Sequence, residues 1–506
     1  MKKAIIILII FFSPIFSFSQ NPGDSTFQAT FVHDINITFT QTNWWDSLMY
    51  YKMYADSFNL STQSMVATVT IDGTIIDSTG VSLKGNSSFA YPGQKKPIKL
   101  EFNEYVSGQK FDGLKTLNLN NNMLDPTQMR EKLLLDFMNE KGIQAPRCSY
   151  AKVSYNGSYV GLYKVLEAID KTYLNTHFGN NGGNLFKGDP MGSLMWIDNI
   201  PSSYYPYYEL HTNTTANNWT DLVNVIDNIN NTPSPDFYDT LETNLNTSGC
   251  IKEWAARNLF CDLDGYFHAP HNYYLYHNTA TNKFEWNAWD VSVAFGFYPF
   301  WSADSTANAS ILMADFPLTQ RMLGDTTYKT RYLNTICEYL DYFSNTVLDP
   351  KIDSIGNAIR PHIYAELDSN QMFPEFMFEY GMDTFTVVTP MGDIPGLKKF
   401  IAERRNNVIN ELASLPFTCT VGVNDLSEVK LDVKVYPNPS LGIFTVQCEN
   451  EFLMIEIYNM LGEKIYKSEM RSRKFEIDLN GQSTGVYFIR VVDKQNAVST
   501  KKIIIQ

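Results

Sequence analysis

Beyond its first twenty residues the sequence has no long apolar run, few cysteines and a deficit of positive charge. No later stretch reaches the roughly 20 apolar residues that a membrane-spanning helix needs, so none is predicted. The six cysteines are widely separated and form no CxxC pair, so the pattern does not indicate zinc. Lys and Arg number 40 against 54 Asp and Glu, and the net charge of −14 argues against a nucleic-acid partner.

The composition is that of a folded protein with more than one domain. Hydrophobic residues make up 44% of the chain and aromatic residues 14%, which excludes wholesale disorder. At 506 residues the chain is too long for one ordinary core, so two or three domains are expected.

The N-terminus has the pattern of an export signal. Residues 1–20 read MKKAIIILIIFFSPIFSFSQ, with two lysines before an apolar stretch, and predict a secretory signal peptide that is cleaved after Gln20. A membrane anchor is the alternative, but Pro14 and the short apolar run weigh against it. Residues 21–44 are predicted to be a polar leader with an early strand near Asp34–Phe39. In the oxidising compartment that export implies, the cysteines can form disulfides, which the sequence does not pair.

The first part of the chain predicts strands. MVATVTIDGTIID alternates apolar and polar residues and turns at Asp72-Gly73, and AKVSYNGSYVGLYKVLEAID turns at Asn156-Gly157. Both dipeptides favour the left-handed backbone of a tight β-hairpin turn. Lys187 follows on a short predicted strand in GNNGGNLFKGD.

Two features between the hairpins allow more specific predictions. Asp125-Pro126 favours a helix start with Asp125 as its N-cap, and Gly142 suits the C-terminal end of that helix. The Lys95-Lys96 pair is either a solvated strand edge, which is the commoner case, or a phosphate-binding pair.

From about residue 191 the pattern changes to helices. An aromatic loop, PSSYYPYYELHTNTT, comes first. The apolar spacing then predicts helices over 219–229, 237–245, 251–259, 318–348, 351–368 and 397–415. A β-rich first lobe followed by a helix-rich second lobe is therefore expected.

The stretch from Asp264 to Gly296 carries the strongest candidate for chemistry. Asp264 precedes two strand-like runs, Asn272 begins the first of them, and Asp290 follows the second. Phosphoryl transfer uses a carboxylate near the acceptor hydroxyl together with Asn and Asp ligands to Mg²⁺, and protein kinases have these residue types in the same order. The alternative from spacing alone is a β-hairpin whose Asp and Asn residues only form turns.

A set of ordered blocks over residues 45–415 resembles the CotH kinase family. The blocks are VSLKGNSS, KKPIKLEF, LNLNNNMLDPTQMREKLLLDF, VSYNGSYVGLYKVLEAID, GNLFKGD, DLDGYFHAPHNYYLYH and WDVSVAFG. The resemblance implies an α+β, divergent two-lobed protein-kinase-like fold that uses ATP with Mg²⁺. It also implies that the protein transfers the γ-phosphate to a protein hydroxyl.

The resemblance assigns roles to individual residues. Asp264 matches the catalytic acid, while Asn272 and Asp290 match the metal ligands. The resemblance does not assign individual roles to the other residues. Some lie in blocks near the nucleotide, and others depart from the family pattern. Lys96, Lys187 and Glu167 are expected to bind nucleotide, Arg130 is nucleotide-binding or structural, Lys84 stands where the family often has Arg, and Ser292 stands where it often has a second Asp.

The sequence pattern predicts that the last 76 residues form a separate all-β unit. KVYPNP, IYNMLGEKIY, GVYFIRV and KKIIIQ predict short strands of a small sandwich over residues 431–506, after a linker at 416–430. The set is similar to the C-terminal sorting domain of the type IX secretion system. It implies a Bacteroidetes-type host, export to the surface or the medium through that machinery, and removal of the tail at the linker.

The sequence therefore predicts a secreted kinase whose partners are ATP, an extracellular acceptor protein and the secretion machinery. The alternative is a catalytically weak or inactive kinase-fold surface protein that binds a glycan or a protein. The aromatic loop at 201–208 motivates that alternative. A hydrolase with a pair of carboxylates is a third class, which the neighbouring Asn272 and the order of the lobes disfavour.

Overall fold

A computed structural model describes residues 21–28, 32–58, 60–123, 125–366, 374–383, 385–389, 392–419, 433–459, 464–493 and 498–506. The predicted signal peptide and most of the predicted linker lie outside these residues. The described chain divides into two units, one up to Cys419 and one from Thr420 onward. No helix among the described residues has both the length and the apolar character needed to cross a membrane.

The first part of the chain forms a closed seven-stranded barrel. Its strand order is β1-β2-β3-β4-β5-β7-β6, and β6 closes the barrel by pairing in parallel with β1. The early strand predicted within the leader is thus an integral barrel strand. The strands are β1 (Val32–Thr38), β2 (Met65–Ile71), β3 (Thr74–Leu83), β4 (Ile98–Glu101), β5 (Thr116–Asn120), β6 (Cys148–Tyr155) and β7 (Ser158–Glu167).

Both predicted hairpin turns are confirmed. Asp72 and Gly73 join β2 to β3 with φ values of 49° and 83°, and Asn156 and Gly157 join β6 to β7 with 49° and 81°. Positive φ at both turn residues is the backbone that matches the twist of paired strands. Closure of these strands into a barrel is the feature that the two-lobed prediction did not include.

Four helices accompany the barrel strands, and the start of the third corrects a prediction. They are α1 (Trp44–Phe58), α2 (Ser87–Ala90), α3 (Arg130–Glu140) and α4 (Lys171–Phe178). The N-cap of α3 is Met129 and not Asp125. Asp125 instead accepts hydrogen bonds from the Thr127 and Arg130 backbone amides, so it orders the turn before the helix.

The helix-rich part follows as predicted, with different boundaries. The predicted helix over 318–348 is interrupted at Asp325, whose carboxylate caps the next helix by accepting from the amides of Thr327 and Tyr328. The helices are α5 (Thr220–Asn231), α6 (Ser234–Asn244), α7 (Thr247–Leu259), α8 (Ala303–Ala307), α9 (Pro317–Gly324), α10 (Thr326–Tyr342), α11 (Asn345–Tyr364), α12 (Pro374–Met382) and α13 (Leu397–Ser414).

A small antiparallel sheet lies within this part and carries the candidate site. Its order is β11-β10-β8-β9, formed by β8 (Leu185–Lys187), β9 (Glu209–Leu210), β10 (Tyr273–Asn278) and β11 (Lys283–Ala288). A second hairpin pairs β12 (Thr386–Thr389) with β13 (Gly392–Pro395). The barrel interior and the helical part have separate apolar cores, with α3 packed into the core of the helical part.

A disulfide fixes the end of the first unit. Cys337 on α10 is bonded to Cys419, which follows α13. The first residues of the predicted linker therefore belong to the first unit, and the boundary lies after Cys419. The sequence could not predict this pairing because the two cysteines are 82 residues apart.

The second unit is all-β, as predicted. Its strands are β14 (Val433–Tyr436), β15 (Ile443–Tyr458), β16 (Lys464–Asp478), β17 (Gly485–Asp493) and β18 (Val498–Ile505). They form one hydrogen-bonded sheet in the order β14-β15-β17-β18, with β16 paired to β15. Apolar side chains from these strands, among them Val446, Ile457 and Ile489, form its own core.

Candidate active site

Asp264 and Asn272 are joined directly. The Asn272 side-chain amide donates to the Asp264 carboxylate at 3.0 Å and to the Asp264 backbone carbonyl at 2.8 Å. The His271 Nε2 lies 3.0 Å from the other carboxylate oxygen of Asp264. This hydrogen bond raises the pKa of His271, so the imidazole favours its charged form beside the carboxylate. About a third of the Asp264 side chain is exposed to solvent.

Asp290 lies at the end of the strand that pairs with the Asn272 strand. The Trp289 amide donates to the Asn272 carbonyl at 3.3 Å, which brings the start of β10 and the end of β11 together. Asn272 and Asp290 both have a left-handed backbone, with φ values of 62° and 45°. Asn and Asp tolerate this conformation better than most residues. The three residues that the sequence selects therefore gather at one end of this sheet.

A buried arginine on α7 holds these two strand ends. The Arg257 Nη2 donates to the Asn272 carbonyl at 2.7 Å and to the Trp289 carbonyl at 2.6 Å. Its Nη1 pairs with Asp262 at 2.7 Å, and its Nε donates to Glu253. The sequence analysis missed Arg257, because no local pattern indicates which carbonyls a helical arginine meets.

Asp262 is a second residue that the sequence analysis missed. Burial raises its pKa to about 7, the charge of Arg257 opposes this rise, and the charges of Asp264 and Asp290 add to it. One of its carboxylate oxygens is buried without a hydrogen-bond partner in the described structure. Asp262 thus lies close enough to the candidate acids to respond to both of them.

Lys84, directly after β3, is a basic residue that interacts electrostatically with Asp290. Burial lowers its pKa to about 8, while the charges of Asp290 and Glu131 act in the opposite direction. Its ammonium donates to the Asn120 side chain at 3.2 Å and lies 5.5 Å from the centre of the Trp289 ring. The family block that contains Lys84 indicated this region, but the prediction took Lys96 from the next block.

Lys187 lies on the strand that pairs with β10, and its part in nucleotide binding stays a prediction. It is the last residue of β8, opposite Tyr274 of β10, and its ammonium forms an ion pair with Asp189. Burial opposes its charge, but Tyr274 and Asp189 raise its pKa above the ordinary value. Lys187 also acts electrostatically on Lys84, so these two lysines belong to one region.

Lys96 is directed to the loop between β3 and β4. Only 5% of the residue is exposed, so the interpretation as a solvated edge is wrong. Its ammonium donates to the carbonyls of Phe89, at 2.8 Å, and Tyr91. Its neighbour Lys95 is buried too, in an ion pair with Glu366 at 2.8 Å. Lys96 therefore supports a loop, and its part in nucleotide binding stays a prediction.

Glu167 is engaged at the end of β7. Its carboxylate lies 2.7 Å from the Arg147 guanidinium and 3.8 Å from the His177 imidazole. Burial alone raises the pKa of a carboxyl, but His177 and Arg147 outweigh it and lower the pKa of Glu167. No contact among the described residues brings Glu167 to Asp264, Asn272 or Asp290.

The buried ion pair between Lys164 and Glu131 also escaped the sequence analysis. Lys164 lies on β7 and Glu131 in the first turn of α3, with nitrogen and oxygen 2.7 Å apart. Protein kinases pair a strand lysine with a helix glutamate in this way next to the phosphates. The blocks GLYKVLEAID and MREKLLLDF contain both residues, but neither block indicates that the two side chains pair.

Arg130, whose role the sequence left open, ties α3 to the segment after Asp290. It is fully buried and donates to the carbonyls of Phe295 at 3.4 Å and Pro395 at 2.6 Å. Its guanidinium also lies 3.4 Å from the Asp125 carboxylate. These contacts are structural.

The residues at the site suit a hard divalent cation. Asn272 uses its amide nitrogen for both hydrogen bonds to Asp264, so its oxygen is the atom that can face a cation together with the Asp290 carboxylate. Mg²⁺ is commonly held by one or two protein oxygen ligands plus phosphates. Within the described residues no group of three His, Cys, Asp or Glu side chains is placed to hold a metal ion. The amide oxygen of Asn272 and the carboxylate of Asp290 are ligand types that fit Mg²⁺ held jointly by protein and phosphate oxygens.

Family models match both units of the chain. Residues 81–408 match the model described as CotH kinase protein, which is more than half of the chain. Residues 434–506 match the model described as secretion system C-terminal sorting domain. The second match indicates export to the cell surface or the medium.

Two curated proteins are similar in sequence to parts of this chain. The inner spore coat protein H of Bacillus subtilis (strain 168) is 27% identical over 283 residues, which cover 53% of this chain and 74% of that protein. The endo-acting ulvan lyase of Formosa agariphila is 34% identical over 89 residues, which are 17% of each chain.

Among solved structures, the Helicobacter pylori proinflammatory kinase CtkA matches 62% of this chain and 92% of its own. The sequence identity is 11% and the TM-score 0.25. At this TM-score the similarity carries no argument about the fold.

Proposed function

Because the chain belongs to the CotH kinase family, we propose that it is a secreted kinase that transfers the γ-phosphoryl group of ATP to a Ser or Thr hydroxyl of an extracellular or surface protein. The observation that carries the proposal is the arrangement of Asp264, Asn272 and Asp290 at one end of the β10-β11 pair. The buried Lys164–Glu131 pair, which joins a strand to α3, gives independent support.

Asp264 is proposed to orient the acceptor hydroxyl. The hydroxyl oxygen forms a bond to the γ-phosphorus, the bond between that phosphorus and the β–γ bridging oxygen breaks, and ADP leaves with the electron pair. The hydroxyl proton passes to the Asp264 carboxylate and from there to solvent. The hydrogen bonds from Asn272 and His271 keep this carboxylate in place while one face stays open.

Asn272 and Asp290 are proposed to hold Mg²⁺. When bound, the ion neutralises charge on the phosphate oxygens. Arg257 fixes the backbone carbonyls at both positions, which limits how far the two side chains can move apart.

The nucleotide phosphates are proposed to meet the lysines of this region. Lys84 and Lys187 are the candidates, because Lys84 interacts electrostatically with Asp290 and with Lys187. In this proposal Lys96 and Glu167 act indirectly. Lys96 supports the β3–β4 loop, and Glu167 supports the end of β7.

The C-terminal unit is proposed to engage the type IX secretion machinery and then to be removed. Its own core supports a separate folding unit, and the proposed cut lies between the two units, within 420–432. Mass spectrometry of the surface form should detect no peptide from 434–506.

The two acids should fail differently when they are replaced. Asp290→Ala should lose Mg-ATP binding and activity, because a metal ligand is removed. Asp264→Asn should keep Mg-ATP binding while turnover falls by roughly 10²-fold or more, as for a lost general base. Calorimetry, phosphotransfer rates and melting curves on the full chain measure the three effects.

Asp236→Ala is the matched control, since Asp236 is an exposed acid in the first turn of α6. Unchanged Mg-ATP binding by Asp290→Ala would refute the metal role. If the parent protein itself binds no nucleotide, the kinase proposal fails and a kinase-shaped binding module replaces it.

A further inference from the structure

A loop beside the candidate site exposes an unusual amount of apolar surface. This apolar loop comprises residues 191–207, between β8 and β9. Six of its large side chains are between 40% and 57% exposed. They are Met191, Met195, Ile197, Ile200, Tyr205 and Tyr207. Clustered apolar exposure of this kind commonly marks a binding surface.

The backbone of the apolar loop is held firmly. The Tyr204 hydroxyl accepts from the Ile197 amide at 3.1 Å and donates to the Asp198 carbonyl at 2.9 Å. The Tyr208 hydroxyl accepts from the Leu194 amide at 2.8 Å, and Leu194 is fully buried. The loop therefore buries some apolar side chains to fix its shape and leaves the others at the surface.

The same loop is bonded to residues next to the proposed catalytic acid and metal ligand. Tyr266, two residues after Asp264, donates to the Ser193 carbonyl at 2.8 Å. Tyr273, which follows Asn272, donates to the Gly192 carbonyl. The apolar loop thus adjoins the place where an acceptor hydroxyl must enter.

A second exposed apolar residue lies near the same acid. Phe300, in the segment after Asp290, is 84% exposed. Burial raises the pKa of its neighbour Tyr298, and the charge of Asp264 adds to the rise, so this segment is close to Asp264 as well. The proposed catalytic acid therefore has exposed apolar side chains on more than one neighbouring segment.

We propose that the apolar loop is the docking surface for the acceptor polypeptide and selects apolar side chains near the phosphorylated Ser or Thr. This inference rests on the proposed function. The acceptor is the occupant that the position favours, because a kinase must hold a polypeptide beside Asp264. Acidic flanking residues are disfavoured, since the carboxylates of Asp264 and Asp290 already lie at this end of the sheet.

The test uses Ser-containing peptide arrays in which each flanking position is Leu, Phe, Ser, Asp or Lys. The full chain should phosphorylate peptides with an apolar flank at least about tenfold better in kcat/KM, as for other apolar pockets. The triple variant Met191→Ser, Met195→Ser, Ile197→Ser should lose this preference through a higher KM. Its Mg-ATP binding and its rate on all-polar peptides should not change.

The control variant carries Tyr50→Ser, Met53→Ser and Phe58→Ser on α1, where the three residues are 57–62% exposed. It should keep the preference of the parent. Met195→Arg provides a second readout that does not depend on lost stability. It should create a preference for an Asp flank, which a merely structural role for the loop would not produce.

The outcomes separate this inference from the function on which it rests. If the parent binds no Mg-ATP, the proposed function fails and this inference fails with it. If the parent phosphorylates all peptides alike, or the triple variant keeps the apolar preference, only the docking surface is refuted. Self-association of the parent that the triple variant abolishes would identify a second copy as the occupant and overturn the proposal.

Discussion

The ammonium of Lys164 lies 2.7 Å from the carboxylate of Glu131, and both side chains are buried. Burial opposes the charge of Lys164, but Glu131 and Asp125 raise its pKa above the ordinary value, so the ammonium stays charged. It joins β7 of the barrel to α3, whose other face packs in the helical core. This ion pair therefore links a barrel strand to a helix of the neighbouring core.

Breaking this pair should be costly. We expect Lys164→Met to lower the free energy of unfolding by about 3–5 kcal/mol, because Glu131 is left charged and buried. Urea denaturation measures the effect. Lys141→Met is the matched control, since it breaks an ion pair with the 60% exposed Glu338, and we expect a loss of at most about 1 kcal/mol.

A double variant separates the structural role of the pair from any contribution of Lys164 to ATP binding, which the kinase-like pairing suggests. Lys164→Met with Glu131→Leu removes both charges, so most of the lost stability should return. Mg-ATP affinity should stay below that of the parent if Lys164 also contributes positive charge toward the phosphates, because Lys84 and Lys187 then act without it. Full ATP affinity in a stable double variant would show that the pair only holds the fold.

The contrast between the hairpins and this pair shows what the sequence could predict. Asp72-Gly73 and Asn156-Gly157 determine their turns locally, so both hairpins were predictable. Asp264, Asn272 and Asp290 could be selected because their order and residue types match one chemistry. Lys164 and Glu131 could not be paired, because their contact depends on the packing of α3 against the barrel.

Arg257 illustrates the same limit within the site. Its guanidinium donates to the carbonyls of Asn272 and Trp289, and carbonyl acceptors leave no mark in a sequence. Asp125 was misassigned for a related reason. The residue type of Asp125 suits an N-cap. In the structure its carboxylate accepts from the Thr127 amide in the turn before α3 and forms an ion pair with Arg130.

We expect Arg257→Lys to weaken the proposed metal site. Lysine keeps the charge but cannot hold two carbonyls and two carboxylates in one plane. The Mg²⁺ concentration needed for half-maximal ATP binding should rise about tenfold, because the strand ends that carry Asn272 and Asp290 are released. Calorimetric titration at fixed ATP measures this.

Arg404→Lys is the control for that variant. Arg404 is equally buried and donates to the carbonyls of Asn258, Ala307 and Ala309, away from the metal ligands. Both variants should lose stability by about 1–3 kcal/mol. An equal shift in Mg²⁺ dependence for both would mean that Arg257 acts through general stability and not through position.

The disulfide between Cys337 and Cys419 should stabilise the first unit. Closing 82 residues of chain restricts the unfolded state, and we expect Cys337→Ser to lower the free energy of unfolding by about 2–4 kcal/mol. A reductant should lower the Tm of the parent toward that of the variant and leave the Tm of the variant unchanged. Equal Tm values for parent and variant without reductant would contradict this contribution.

Because of Lys84, the free energy of unfolding and the affinity for ATP should change in opposite directions as pH rises. Burial lowers its pKa from 10.5 to about 8 in the folded protein. Between these two values the unfolded chain binds the proton that the folded chain has released, so the contribution of Lys84 to stability rises with pH across this window. Below pH 8 both states are charged and the cost of burying the charge is fully present.

The affinity for ATP should decrease with pH, because only the charged ammonium of Lys84 attracts phosphate. We expect Mg-ATP affinity to fall as pH rises above about 8, with bound phosphate moving the fall to higher pH. Lys84→Arg stays charged throughout, so its affinity should remain level while the stability gain between pH 8 and 10.5 disappears. Lys84→Met should bind weakly at every pH and also lack the stability gain.

Denaturation and calorimetry at pH 7.5, 9 and 10 on the three proteins provide the measurement. An affinity that stays level in the parent, or that falls equally in Lys84→Arg, would place Lys84 away from the phosphates.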